Sequence, residues 1–168
     1  MKEKNCIIRP YQKGEEDYIA DAHERIYLEE FGWGPDFSKY AKQVVYDYAA
    51  LPKRENAEMW VAEANHTLIG SIMLQPAEGE TETGQLRLFL VEKPYRGQGI
   101  GAALMKTALN HAEKWSFRHL MLWTAEPNKT ACSYYAKLGF TITETIEATD
   151  WALDGSIVTE ERWDKKAN

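Results

Sequence analysis

The sequence has 168 residues, of which 44% are hydrophobic and 27% charged; it therefore predicts one folded domain over 1–168 and excludes a disordered or fibrous chain. A formal net charge of −6 excludes a general affinity for nucleic acid, because phosphate binding needs clustered Lys and Arg. Cys6 and Cys132 lack CxxC spacing, and no segment approaches the roughly 18 apolar residues that span a bilayer, so we expect a cytoplasmic protein with no membrane partner.

The N-terminal third predicts a strand followed by two helices. A short β-like run ends at Pro10. Apolar residues at helical spacing, preceded by acidic ones, predict a first helix over about 15–30. Two glycines and a proline interrupt the chain at 31–35, and Asp36 or Ser38 is expected to cap the second helix.

Strands dominate the rest of the chain. The run at 85–92 is apolar along most of its length, as expected of a strand covered on both faces, so we place it at the centre of the sheet. A helix and another buried strand follow it, and this unit predicts a parallel pair, whereas the last two strands are expected to be antiparallel. The predicted strands of this part are at 59–63, 68–74, 85–92, 119–124, 140–146 and 156–163, and the helices at about 101–115 and 129–138, the latter between an Asn128 cap and a left-handed Gly139.

The loop Arg96-Gly97-Gln98-Gly99-Ile100-Gly101 joins the central strand to the next helix. Glycines permit positive φ and let a ligand approach the main chain closely, while a helix N-terminus presents unpaired N–H groups and the positive end of its dipole. Arg96 adds a permanent positive charge. The loop therefore predicts an anion site, and a pyrophosphate is the anion that best suits it.

Other phosphate-binding motifs compete with this interpretation. Gly97, Gly99 and Ala102 fit the loose dinucleotide fingerprint G-x-G-x-x-G/A. The loop, however, leaves only 66 residues after Ala102, too few for the rest of a doubly wound domain. A P-loop is excluded because no Gly-Lys-Ser/Thr ends the motif. A dinucleotide-binding protein stays the alternative from another class.

The segment Val91–Gly101 resembles the acetyl-CoA signature of the GNAT superfamily of N-acetyltransferases, a strand followed by Arg/Gln-x-x-Gly-x-Gly/Ala. Asn128, Ala131 and the run Tyr135–Phe140 resemble the second signature of that family at the expected distance. The segment His23–Trp33 is also similar to the N-terminal region of GNAT domains fused to MarR-type regulators.

The resemblance implies a fold and a cofactor. The fold would be α/β (α+β), a mixed, mostly antiparallel central sheet of about seven strands with four flanking helices, in the order β-α-α-β-β-β-α-β-α-β-β. The cofactor would be acetyl-CoA, with its pyrophosphate on the loop amides and its pantetheine beside a splayed central strand. The residues so implied are Phe89, Leu90, Val91, Arg96, Gly97, Gln98, Gly99, Ile100, Gly101, Asn128 and Tyr135.

The resemblance also implies a reaction, in which an acceptor amine attacks the thioester directly and Tyr135 protonates the departing thiolate. A phenol with its ordinary pKa of about 10 stays protonated at pH 7 and can act so, although Tyr135 and its neighbour Tyr134 could both serve packing alone. Glu92, at the end of the central strand, is the candidate base, and a solvated carboxylate is its alternative role. The residues implied on the acceptor side are Tyr27, Glu30 and Trp33.

The predicted function is therefore acetyl transfer from acetyl-CoA to a primary amine of a small molecule, peptide or protein. A non-catalytic module that binds CoA as a sensor is the alternative within the same fold. The four histidines show no HExxH spacing, so no metal site is expected. Fold and cofactor site do not determine the acceptor, and a homodimer is the assembly we consider because dimers are the commonest.

Overall fold

A computed structural model describes residues 5–167, and in this part of the chain seven strands form one mixed sheet. The strands are β1 (Cys6–Pro10), β2 (Glu58–Ala64), β3 (Thr67–Pro76), β4 (Thr83–Val91), β5 (His119–Ala125), β6 (Thr141–Ala148) and β7 (Val158–Lys166). The helices are α1 (Glu16–Phe31), α2 (Pro35–Ala50), α3 (Ile100–Lys114) and α4 (Lys129–Lys137), with a short 3-10 helix at Lys93–Tyr95. The predicted order of elements is confirmed.

The strand order is β1-β2-β3-β4-β5-β7-β6, which confirms the central position predicted for β4. β4 and β5 are parallel, and the other neighbouring pairs are antiparallel, as predicted for β6 and β7. A doubly wound nucleotide domain has a mostly parallel sheet. The single parallel pair among the described strands therefore disfavours the dinucleotide alternative.

Side chains of β3 show how the sheet separates two cores. Ile72 and Leu74 pack with Leu104 of α3, whereas Met73 points to the opposite face and packs with Ile19 of α1. This alternation follows from the two-residue period of a strand. The sheet thus has an α1/α2 face and an α3/α4 face, and β4 is covered on both.

The boundary between α1 and α2 differs in detail from the prediction. α1 ends at Gly32, whose φ of 70° is left-handed and whose N–H donates to Leu28 O. α2 begins at Pro35 with Gly34 as its N-cap, so the caps predicted at Asp36 and Ser38 are wrong. The reason is that proline suits the first helical position, where its missing N–H is not needed, and the helix starts there.

No helix within residues 5–167 is long and apolar enough to cross a membrane. The same residues contain no group of three or more His, Cys, Asp or Glu side chains placed to hold a metal ion.

Candidate active site

A cleft of about 780 Å³ opens where β4 and β5 separate. The two strands pair only from Thr83 to Leu86 on β4, so the segment from Arg87 to Val91 has no strand beside it on the β5 side. The cleft brings together most of the residues implied by the resemblance but not Glu92, Gln98 or Ile100. Those that line it are Tyr27, Glu30, Trp33, Phe89, Leu90, Val91, Arg96, Gly97, Gly99, Gly101, Asn128 and Tyr135.

One end of the cleft is formed by the glycine loop and the N-terminus of α3. Gly97 and Gly99 have φ of 74° and 84°, as expected, whereas Gly101 lies in the first turn of α3 and has no positive φ. Within the described chain, the N–H groups of Gly97, Gly99, Ile100 and Gly101 donate to no other backbone group. These amides and the helix dipole together can hold an anion.

The guanidinium of Arg96 is paired with other groups of the protein, whereas the sequence predicts a positive charge that is free to bind the anion. Its Nη atoms donate to both carboxylate oxygens of Glu30, at 2.6 and 2.7 Å, and its Nε donates to Val91 O at 2.8 Å. The guanidinium lowers the pKa of Glu30, despite partial burial. Arg96 therefore ties α1 to the glycine loop, and its charge is shared with Glu30 before any ligand binds.

The open stretch of β4 has an unusual backbone at Leu88. This residue has φ of 53°, and the pairing of β3 with β4 shifts register between Ser71 and Met73. Buried Ser71 donates its hydroxyl hydrogen to Leu88 O at 2.7 Å. The bulge bends the strand away from β5 and leaves backbone groups of 87–91 facing the cleft.

α4 places Asn128 and two tyrosines along the opposite wall. Asn128 is the N-cap of α4, as predicted, and its side-chain oxygen accepts a hydrogen bond from the N–H of Ala131 at 3.4 Å. Tyr135 is 7% exposed, and within residues 5–167 its hydroxyl has no hydrogen-bond partner. Burial, aided by nearby tyrosines, holds the pKa of Tyr135 well above its usual value, so it is a protonated donor. Tyr134 also lines the cleft but is half-buried.

The other end of the cleft is aromatic. Tyr27 and Trp33 stack with ring centroids 5.2 Å apart, and burial raises the pKa of Tyr27 to about 12. Trp33 in turn contacts Trp151, at 5.2 Å, and Phe37, at 4.9 Å. Tyr40 stacks on Trp151 at 6.4 Å. We call these five residues the aromatic wall, and their rings, several of them tilted against one another, give this end of the cleft a largely apolar lining.

Backbone hydrogen bonds join the two loops that carry the aromatic wall. The N–H of Gly34 donates to Trp151 O at 2.7 Å, and the N–H of Leu153 donates to Gly32 O at 2.9 Å. Trp33 and Ala152 form an isolated antiparallel bridge between these bonds. The segment between α1 and α2 is thus fixed to the segment between β6 and β7.

Glu92 lies outside this cleft. Its carboxylate accepts from Arg25, at 2.7 and 3.1 Å, and from the Tyr18 hydroxyl at 2.6 Å. Although burial opposes it, these contacts lower the pKa of Glu92. This geometry supports a role in joining α1 to the end of β4, and the base role predicted for Glu92 stays a prediction.

Arg87 and Glu160 line the cleft and are charged, but neither is predicted as a site residue from the sequence. Arg87 of β4 donates to the Tyr40 hydroxyl at 2.8 Å, and the carboxylate of Glu160 on β7 has no hydrogen bond or ion pair with any residue in 5–167. Burial, with a smaller contribution from Asp150, raises the pKa of Glu160. A charge inside an otherwise apolar strand was the available signal for Arg87; Glu160 stands among other charged residues and gave none.

Comparison with known proteins identifies relatives. The model of the acetyltransferase (GNAT) family matches residues 17–140. An uncharacterized N-acetyltransferase of Methanocaldococcus jannaschii is 27% identical over 149 residues, which cover 86% of this chain and 64% of that protein. An N-alpha-acetyltransferase of Schizosaccharomyces pombe is 30% identical over 107 residues, covering 62% of this chain and 70% of that protein.

A similar fold occurs in a Salmonella typhimurium protein that was solved with its cofactor acetyl-CoA. The TM-score is 0.74 at 15% identity, and the match covers 98% of this chain and 95% of that one. At this identity the likeness establishes the fold. The chain spans between 39% and 64% of the lengths of three of its curated relatives.

Proposed function

Since the chain belongs to the GNAT acetyltransferase family, whose cofactor is acetyl-CoA, we propose that it transfers the acetyl group of acetyl-CoA to a primary amine. The proposal depends above all on the coincidence of unpaired amides at the N-terminus of α3 with the opening between β4 and β5. The amides suit a pyrophosphate, and the opening suits the extended arm that follows it.

The residues of the cleft fit the cofactor from end to end. Gly97 and Gly99 leave their surroundings open, because a Cβ at either position would meet nothing within 4 Å. The unpaired edge of β4 can bond the amides of the pantetheine arm, as strand addition does. Asn128 and Tyr135 face this edge from α4 across the cleft. We infer that the cofactor-binding residues named from the sequence act here, with Gln98 and Ile100 contributing through the backbone.

Acetyl-CoA supplies an activated thioester, and the protein positions the two reactants and donates a proton to the leaving group. The acceptor nitrogen forms a bond to the acetyl carbon as the carbon–sulfur bond breaks. Backbone N–H groups on the open edge of β4 can stabilise the charge that develops on the carbonyl oxygen, an effect worth about 3 kcal/mol per donor. Tyr135 then gives its proton to the departing sulfur, and the proton that the new amide nitrogen loses restores the phenol. Tyr27 and Trp33 line the acceptor side in this arrangement.

The acceptor ammonium must lose a proton before it can attack, and we propose Glu160 as the group that receives it. Glu30 is the other carboxylate that lines the cleft, and it is paired with Arg96. Glu160 has no counterion among the described residues, and burial raises its pKa above that of an ordinary carboxyl group, which makes the carboxylate a stronger base. Glu92 is held ionised by Arg25 and is a weaker candidate.

Substitutions of Glu160 and Glu92 show which of the two carboxylates is the base. We expect Glu160→Gln to lower kcat/KM at pH 7 by about 10- to 100-fold, because water replaces the base only in part. In the wild type kcat/KM should fall as the pH is lowered through the raised pKa of Glu160, where the carboxyl takes up its proton. This acidic limb should disappear in Glu160→Gln and persist in Glu92→Gln. If the acidic limb of kcat/KM disappears only in Glu92→Gln, the base is Glu92 and not Glu160.

The proposed function is tested by ligand-dependent stability and by thiol release. Acetyl-CoA should raise the Tm of the protein, because a ligand that binds only the folded state stabilises it, whereas NAD should not. Pooled amines, amino acids and peptides should then give acceptor-dependent release of free thiol. Stabilisation by NAD alone would contradict the proposal. Binding of acetyl-CoA without transfer to any acceptor would favour the sensor module.

We further propose that the protein is cytoplasmic and forms a homodimer. Cys6 and Cys132 are both free, which is in keeping with a reducing compartment such as the cytoplasm. A homodimer would be tested by the mass of the protein in solution. Neither point affects the chemistry of the cleft.

A further inference from the structure

The charged side chains that line the cleft do not all have counterions. Arg96 is paired with Glu30, and Lys129 is paired with Glu126. Arg87 and Glu160 also line the cleft, and neither has an ion pair within residues 5–167. A cleft that keeps one cation and one anion unpaired is suited to a ligand that carries both charges.

We propose that the acceptor is a free amino acid with a large apolar side chain, bound with its carboxylate at Arg87, its ammonium group at Glu160 and its side chain against the aromatic wall. This inference rests on the proposed function and specifies its substrate. It concerns the acceptor half of the cleft and is independent of how the glycine loop holds its anion.

Arg87 has the geometry needed to bind a carboxylate. It projects from β4 to the α1/α2 face, where its guanidinium lies 5.8 Å from the centroid of the Tyr40 ring and donates to the Tyr40 hydroxyl. Only one of its Nη atoms is used in this way. The remaining N–H groups form a planar fork that matches the two oxygens of a carboxylate.

Glu160 projects to the same face of the sheet from β7. Val158, two residues earlier, packs with Trp33 and Phe37 on the α1/α2 face, and Trp163, three residues later, packs with the core of the α3/α4 face. The two-residue period therefore assigns Glu160 to the α1/α2 face. There its carboxylate can accept hydrogen bonds from an ammonium group, and nearby Asp150 reinforces the negative potential.

The spacing of the two charges suits a small molecule. Arg87 follows Leu86, which pairs with Leu122 of β5, while Glu160 pairs with Ala125 of the same strand. In a regular ladder, two strand spacings and an offset of two residues correspond to a backbone separation of about 12 Å, and the opening of β4 from β5 beyond Leu86 increases it. Both side chains line the same cleft on the same face of the sheet, so a ligand with an acid and an amine group can lie between them.

The surroundings disfavour other amines. A polyamine or a lysine-rich peptide would bring further positive charge towards Arg87, where like charges repel. A peptide N-terminus carries no carboxylate close to its amine and would leave Arg87 unpaired. The aromatic wall favours an acceptor with rings or other flat apolar groups, since aromatic pairs gain energy beyond that of simple burial.

Matched acceptors provide the test in thiol-release assays with acetyl-CoA. Phenylalanine and tryptophan should have kcat/KM values at least about tenfold above those of phenethylamine, tryptamine and phenylalanine amide, because a charge-assisted hydrogen bond changes affinity by about 10- to 100-fold. Arg87→Gln should remove most of this preference by lowering kcat/KM for the amino acids. Arg54→Gln is the matched control, since Arg54 contacts Gln75 and does not line the cleft.

A binding measurement checks the same inference without turnover. Calorimetric titration of phenylalanine into protein saturated with CoA should show one site, with affinity about tenfold or more lower in Arg87→Gln and in Glu160→Gln. Glu147→Gln, on the exposed strand β6, should bind like the wild type. These titrations report on the acceptor half even if the reaction is slow.

The outcomes distinguish the two proposals. Preference for the decarboxylated amines or the amide, or equal loss in Arg87→Gln for both kinds of acceptor, would overturn the amino acid as acceptor and leave the acetyltransferase intact. Absence of amino acid binding to the CoA-saturated protein would do the same. Failure of acetyl-CoA to bind at all would instead contradict the proposed function.

Discussion

Replacing Tyr135 with phenylalanine is expected to lower kcat by about 10²- to 10⁴-fold while leaving the affinity for acetyl-CoA nearly unchanged. The substitution removes the only proton donor of the side chain and keeps the ring, which packs against Phe140 and Trp163 at centroid distances of 6.1 and 6.4 Å. Within the described chain the hydroxyl makes no hydrogen bond, so its removal leaves no protein group unpaired. Steady-state kinetics with the best acceptor, together with CoA titration, measure the two effects separately.

Tyr134→Phe is the matched control for this substitution. Tyr134 is adjacent, lines the same cleft and loses the same atom. We expect less than a fivefold effect on kcat there, because a half-buried hydroxyl is replaced by water more easily. Equal losses in the two variants, or none in Tyr135→Phe, would remove Tyr135 from the chemistry and assign it to packing.

Replacing Gly99 with valine is expected to abolish measurable binding of acetyl-CoA. Gly99 has φ of 84°, and its missing Cβ faces space in which no protein atom lies within 4 Å. A branched side chain there would fill the approach of a ligand to the loop amides and would also strain a left-handed backbone, at a cost of about 1–3 kcal/mol. Isothermal titration of acetyl-CoA, with the Tm of the free protein, measures both effects.

Gly79→Val distinguishes loss of the site from loss of the fold. Gly79 has φ of 73° with the same open surroundings, but it lies in the turn between β3 and β4 and does not line the cleft. The two variants should therefore lose similar stability, and only Gly99→Val should lose the ligand. Retained affinity in a folded Gly99→Val protein would show that the anion binds elsewhere.

The sequence was informative about the fold wherever a signal was local. Asn128 at the start of α4 and Gly139, with φ of 95°, after its end were both predicted and are both observed, because capping depends on neighbouring residues only. The start of α2 was predicted wrongly because three residues within a few positions, Pro35, Asp36 and Ser38, all favour a helix N-terminus. Propensity alone did not rank them.

The candidate site could be predicted as far as its motif extended. The glycine loop was evident because its function requires an uncommon backbone, and Gly97 and Gly99 show it. The ion pairs of Arg96 with Glu30 and of Glu92 with Arg25 were not evident, since the partners lie far apart in the sequence and meet only in the fold. Glu160 was missed because an unpaired carboxylate looks the same in sequence as a solvated one.

The bridge between Trp33 and Ala152 affects the order in which parts of the protein fold. A contact between segments so distant in the chain closes a long loop, whose entropy must be overcome before the contact adds any stability. The acceptor end of the cleft therefore belongs to the late-forming, non-local part of the topology, whereas the anion end arises from one β-α junction. Partial opening should begin at 32–34 and 151–153, and amide hydrogen exchange should be faster there than in α3.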